Sequence, residues 1–224
     1  MPHGNGVATL SISSTGVVKW TGTLGDGTAA AQSTVLSGQK TWPLYVPLYK
    51  ATGYISGKVT HDPAALAHDL SAALDWVKLR NDRDRMFSNG FVIEENLLLG
   101  ATFTPPTSGQ RVLSEFNDAP GNSGPLTLDD GNLSAAGIDK VLTLSTKNKF
   151  TIQPVDPEKL RLSVNTKTGA LKGSFLFQIP RKATTIKGVI LLNKIGKGVG
   201  TFTGSVLENG VPQTGRLEFR AATE

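Results

Sequence analysis

Between Trp42 and Thr60 the chain reads WPLYVPLYKATGYISGKVT, and this stretch leaves few folds open. Trp42, Leu44, Val46 and Leu48 alternate with Pro43, Tyr45, Pro47 and Tyr49. That two-residue period puts the first set on one face of a strand and the second on the other. Gly53 and Gly57 punctuate the next run, Tyr54 to Thr60, where glycine removes a side chain so that two backbones can approach or a strand can bend. The stretch is therefore predicted to be a hairpin with a core face. Pro43 and Pro47 both lack an amide donor on the same side of the strand, so that side can carry little ladder. The strand is expected at a sheet edge or at a bulge, with Tyr45 and Tyr49 beside an unpaired margin.

The same period recurs along the chain. Val7 to Ser13 and Val17 to Leu24 read as a hairpin turning at Thr15-Gly16, followed by a short strand at Thr34 to Leu36. From Asp62 to Trp76 two patterns compete. Leu66, Leu70 and Leu74 have helical spacing behind an Asp62-Pro63 start, whereas Leu70, Ala72, Leu74 and Trp76 alternate as in a strand. The all-β surroundings favour a turn of helix at Pro63 to Ala67 and then a strand from Asp69 to Leu79. Further strands are predicted at Met86 to Ile93, Leu97 to Thr104, Arg111 to Phe116, Leu126 to Leu128, Lys140 to Ser145 and Lys149 to Gln153. Lys159 to Asn165 and Ala170 to Ile179 form a hairpin at Thr168-Gly169, and Thr184 to Leu192, Gly198 to Val206 and Arg216 to Arg220 complete the set. Thr15-Gly16 with Lys19 is echoed by Thr168-Gly169 with Lys172, and Gly53 and Gly57 by Gly196 and Gly200. The order agrees but the spacing does not, which fits either an ancient duplication or two hairpins under the same constraints. The fold expected is one all-β domain over residues 1–224, an antiparallel meander forming a barrel or a strongly bent two-sheet structure.

At 224 residues such a chain buries enough surface to be stable without staples, and it contains no cysteine. That excludes a disulfide framework, a thiolate-ligated metal and a thiol nucleophile. The formal charge is +5. Its basic residues are scattered singly, and the densest spot, Arg80 to Arg85 (RNDRDR), is nearly neutralised by its own aspartates, which argues against nucleic acid as a partner. No apolar run is long enough to span a bilayer. The N-terminus, MPHGNGVATL, has neither a basic nor an apolar leader region, so Met1 is expected to begin either a cytosolic protein or a processed piece.

Candidates for chemistry are few. Gly121-Asn122-Ser123-Gly124 resembles a serine nucleophile turn, but turn-forming residues around a serine explain it as well. His61 and His68, flanked by Asp62 and Asp69, are the non-terminal histidines, and their spacing matches no metal-ligand pattern. A hydrolase would have to use Ser123 with His61 or His68, oriented by Asp62, Asp69 or Asp118. Asp129 and Asp130 are weak calcium candidates in a turn that lacks the later glutamate of a full cage. No cofactor is implied. Trp42 and Trp76 fall on core faces, leaving Tyr45 and Tyr49, with Pro43 and Pro47, as the ligand or partner surface.

The segments WPLYVPLYKATGYISGKV, LDWVKL, NGFVIEENLLLGATFTPP, KLRLSVNTKTGALKGSFLF, KGVILL and GKGVGTFTG, in this order, resemble a β-rich module found near the ends of large exported surface proteins of bacteria. The resemblance implies an extracellular or cell-surface location and carries no established activity; the function expected is a non-enzymatic structural or binding role in adhesion, packing or display. No cofactor is expected with it, and the partner expected is a neighbouring domain or a small apolar or carbohydrate ligand. The alternative from another class is a small secreted hydrolase of esters or lactones built on the residues named above.

Overall fold

In a computed structural model, residues 1–65, 68–116, 123–178, 181–192, 196–205 and 210–222 are described. They form fifteen strands: β1 (Val7–Ile12), β2 (Val17–Thr23), β3 (Ala29–Val35), β4 (Thr41–Leu48), β5 (Gly53–His61), β6 (Leu70–Lys78), β7 (Phe91–Gly100), β8 (Gly124–Asp130), β9 (Ile138–Leu144), β10 (Phe150–Gln153), β11 (Arg161–Val164), β12 (Ala170–Phe177), β13 (Lys182–Leu191), β14 (Lys197–Thr203) and β15 (Thr214–Arg220). A three-residue 3-10 turn at Tyr49–Ala51 is the only helical element among the described residues. The fold is all-β and antiparallel, as the alternation requires.

The chain gathers into two compact units. The first comprises Met1, 8–22 and 29–102, and the second 2–7, 23–28 and 103–224. The first unit carries a three-stranded sheet in the order β1-β2-β3 and a four-stranded sheet in the order β4-β5-β6-β7. In the latter, Trp42, Leu44, Val46 and Leu48 are buried and Pro43, Tyr45 and Pro47 are exposed, so the alternation holds residue by residue. β4 ends the four-stranded sheet, as its prolines demand. Its free margin is met by a side chain: Gln32 Nε2 donates to the Pro43 carbonyl at 3.4 Å, while Gln32 Oε1 accepts from Trp20 Nε1 at 3.3 Å.

The second unit is one eight-stranded sheet, β10-β9-β8-β15-β14-β13-β12-β11, curled into a nearly closed barrel. Most inward positions are apolar: Leu126 and Leu128, Leu142 and Leu144, Ile152, Leu171 and Phe175, Ile186 and Ile190, Phe202, and Leu217 and Phe219 pack as one core. β10 and β11, the terminal strands, lie beside each other without a ladder. The connection between them covers one end of the barrel. There Lys140, facing inward with 4% of its side chain exposed, pairs with Glu158 at 2.5 Å, and the Glu158 carbonyl accepts from Leu176 N. The opposite end is filled by the chain itself. Val112, Leu113 and Phe116 enter the core, held by Arg111 Nε to the Leu144 carbonyl (2.7 Å), Val112 N to Asn148 Oδ1 (2.8 Å) and Gly196 N to Glu115 Oε1 (3.2 Å).

Four sequence expectations change. Arg111 to Phe116 is an irregular plug rather than a strand, because a strand would send the adjacent Val112 and Leu113 to opposite faces while the barrel end buries both. Met86 to Ile93 and Leu97 to Thr104 are replaced by a single strand, β7, which runs through Glu94-Glu95-Asn96. It does so by a bulge: Trp76 pairs with Ile93 and Leu74 with Asn96, so two residues on β7 face one on β6, and Glu95 takes φ 51°. The short strand at Thr34 to Leu36 is the end of a longer one, β3. The stretch from Asp69 to Leu79 is a strand as favoured, but Pro63 begins a turn stabilised by Ala64 N to Asp62 Oδ1; Leu66 and Ala67 of the expected helical turn lie outside the described residues.

Leu113 is fully buried. Leu113→Ala is expected to destabilise the protein by about 2–5 kcal/mol through lost transfer energy and a residual cavity. Urea unfolding of the variant against wild type measures this.

Candidate interaction surface

The outward face of the β4-β5-β6-β7 sheet is set by register. Pro47 pairs with Tyr54, Tyr54 with Val77, and Val77 with Val92, so four apolar side chains stand in one row across the sheet. Tyr45, one diagonal step away, stacks on Tyr54 with centroids 5.9 Å apart and planes at 27°. Leu97 and Leu99 extend the same face opposite Ala73 and Ser71. The exposed members are large: Tyr45 is 57% exposed, Val92 60% and Leu97 65%. Asp75 and the Glu94-Glu95 bulge separate Leu97 and Leu99 from the row of Pro47, Tyr54, Val77 and Val92, and that row with Tyr45, unlike a single exposed hydrophobe, marks a contact surface.

Tyr49 does not belong to it. The strand stops at Leu48, and Tyr49, Lys50 and Ala51 take φ values of 54°, 57° and 68°, which reverse the chain and end the alternation that would have put Tyr49 beside Tyr45. The ring turns toward the core side instead. Its hydroxyl accepts from Trp76 Nε1 at 3.0 Å, and its edge meets Phe91 at 6.5 Å between centroids. Gly53 makes the space: a Cβ there would strike Tyr49 Cδ2 and the Val77 carbonyl. Lys78, the last residue of β6 and 4% exposed, lies 5.1 Å from the Tyr49 ring centroid. Its ammonium pairs with Asp84 at 2.5 Å and donates to the Phe87 carbonyl at 3.2 Å. The Arg80 to Arg85 loop is thus tied down through Asp84. Asp82 pairs with Arg80 at 2.8 Å on its outer side.

The hydrolase candidates separate. His61, Asp62, His68 and Asp69 gather at the β5–β6 connection in the first unit, Ser123 precedes β8 in the second, and Asp118 lies outside the described residues. Neither unit by itself holds Ser123 with His61 or His68. Within the first cluster, Asp62 shapes the turn and its amide donates to the Asp69 carbonyl at 2.8 Å. Hydrogen bonding from Thr102, through the side chain and then the amide (2.6 Å to Oδ2), holds the Asp69 carboxyl below its ordinary 3.8, with His61 and His68 assisting and partial desolvation opposing. This favours a fixed carboxylate that ties the two ends of β6 and β7 together.

Asp129 and Asp130 are met by other side chains of the protein. Arg216 lies 3.8 Å from each carboxylate, and His3 Nδ1 is 3.3 Å from Asp130. No group of three or more residues able to hold a metal ion occurs among the described residues. Compared with known protein families, curated proteins and solved structures, the chain matches none.

Two outcomes follow. Asp84→Asn leaves the buried Lys78 ammonium without its counter-charge and is expected to cost about 2–3 kcal/mol, less than for a fully buried pair because Asp84 is 34% exposed, whereas Lys78→Met should cost less. Chemical denaturation of both variants orders them. Asp69 has a folded pKa below its unfolded one, so its contribution is complete above the ordinary carboxylate range and disappears as pH falls through the lowered value. Thermal melts of wild type and Asp69→Asn should differ at neutral pH and converge in acid.

Proposed function

We propose that the protein is a non-enzymatic structural or binding module of a bacterial surface protein, acting outside the cell, and that it works through the apolar face of the β4-β5-β6-β7 sheet. The observation carrying this is the stacked Tyr45–Tyr54 pair continued by Pro47, Val77 and Val92, an aromatic and apolar row left in solvent on an otherwise well-buried framework. Flat aromatic groups with a polar edge suit an apolar or carbohydrate ligand, or the corresponding face of a neighbouring domain. The surface location rests on the resemblance of the segments from WPLYVPLYKATGYISGKV to GKGVGTFTG to a module of exported bacterial proteins. The filled barrel supports the same reading, because its interior positions hold side chains where a ligand cavity would need space.

Cellohexaose, maltohexaose and chitohexaose, followed by tyrosine ring resonances, test the ligand-binding form. Saturable shifts of Tyr45 and Tyr54, lost in Tyr45→Ala with the thermal midpoint unchanged, are expected. Shifts that persist in Tyr45→Ala would place binding elsewhere. Hydrolysis of chromogenic esters or lactones by wild type but not by Ser123→Ala would replace this reading with the hydrolase.

A further inference from the structure

Between Glu158 and Glu208 the sequence contains no acidic residue, while Lys159, Arg161, Lys167, Lys172, Arg181, Lys182, Lys187, Lys194 and Lys197 are all basic. This interval supplies β11, β12, β13 and β14, which are consecutive in the barrel. A run of charge dispersed along the chain therefore becomes one wall of the second unit.

The register sharpens it. Leu171, Phe175 and Ile186 point inward, so their neighbours Lys172 and Lys187 point outward, where they are exposed and directly opposite each other on β12 and β13. Ser163 on β11 faces Lys172, and Arg161 faces Ser174, which places the exposed Arg161 one diagonal step from Lys172. The opposition of like charges recurs at Lys197 on β14 and Arg220 on β15. Like charges set directly across a ladder destabilise it, and the partner that Lys187 Nζ finds, Thr23 Oγ1 at 3.4 Å, is a neutral hydroxyl that leaves the charge in place. Acidic side chains appear next on β15 and β8, where Glu218 is engaged by Asn5, and Asp129 and Asp130 by Arg216.

We infer that the outer wall formed by β11, β12 and β13, centred on Lys172, Lys187 and Arg161, binds an acidic polysaccharide bearing carboxylate or sulfate groups. Complementary charge supplies the attraction. The remaining chemistry selects among polyanions. The aromatic residues of this wall, Phe175 and Phe177, face the core, so among the described residues these strands offer no platform for stacking bases as single-stranded nucleic acid requires. No large exposed hydrophobe lies on these strands among the described residues, as insertion into a membrane surface would need. Ser163, Ser174 and Thr185 interleave hydroxyls that can pair with those of a sugar.

The test uses the full chain with polygalacturonate and dextran sulfate as probes, and neutral dextran, polyglutamate, polyadenylate, duplex DNA and phosphatidylglycerol vesicles as comparisons. Binding to polygalacturonate or dextran sulfate is expected to fall steeply with added salt and to weaken by about tenfold or more in Arg161→Gln/Lys172→Gln/Lys187→Gln. Lys50→Gln/Arg83→Gln/Arg85→Gln, with equal charge removed from exposed positions in the first unit, should stay within about twofold of wild type. Lys172→Arg/Lys187→Arg should retain binding, and melting curves should show the triple variant as stable as wild type or more so. The inference is overturned if both triple variants lose affinity equally, if neither acidic polysaccharide binds at low salt, or if polyglutamate, nucleic acid or vesicles bind more tightly. Tyr45→Ala should leave this binding intact, so the outcome is separable from that of the aromatic face.

Discussion

A strand offers two faces, and a curled sheet has room inside for only one of them; nearly every feature of this protein follows from how that interior is filled. In the barrel, Leu126, Leu128, Leu142, Ile186 and Leu217 close the middle, and Leu113 and Phe116 seal one end. Close packing of this kind leaves the outer faces to carry recognition. The rule also explains the two buried lysines. Lys78 ends β6 and Lys140 lies near the start of β9, both at inward positions, where an unpaired ammonium would be costly. Each is matched by a carboxylate from an adjoining connection, Asp84 in one case and Glu158 in the other. In both units an inward lysine at a strand end thus fixes the course of a loop.

Much of this architecture is legible in the sequence, since period-two alternation survives in almost every strand. Trp42 to Leu48 could be read to the residue, as could the edge position of that strand from Pro43 and Pro47. What escapes is anything decided by an interruption of the period. The bulge at Glu94-Glu95 lets β7 continue where three polar residues look like a loop. The plug at Val112 and Leu113 buries adjacent residues, which no strand does. Tyr49 follows the alternation on paper, yet three successive positive φ angles carry it under the sheet. Alternation in a sequence holds only as far as the strand does, and strand ends are set by turn geometry.

The surfaces were legible to different degrees. Tyr45, Pro43 and Pro47 were named by the alternation itself, whereas Tyr54, Val77 and Val92 needed the register that brings three further strands alongside. The cationic wall has no local density in the sequence: its residues are spaced six or more apart in places and reach one another only across β11, β12 and β13. The signal available without coordinates was an absence, the acid-free interval after Glu158. In the RNDRDR segment, dense in charge, Asp82 pairs with Arg80, while Asp84 turns to the buried Lys78 and anchors the loop.

The chain contains no cysteine, so single cysteines can be placed in it one at a time and their reactivity toward a charged maleimide read without background. Across positions 42–48 and 216–220, the account predicts slow labelling at 42, 44, 46, 48, 217 and 219 and fast labelling at 43, 45, 47, 216, 218 and 220. Uniform labelling, or fast positions recurring every three or four residues, would contradict it.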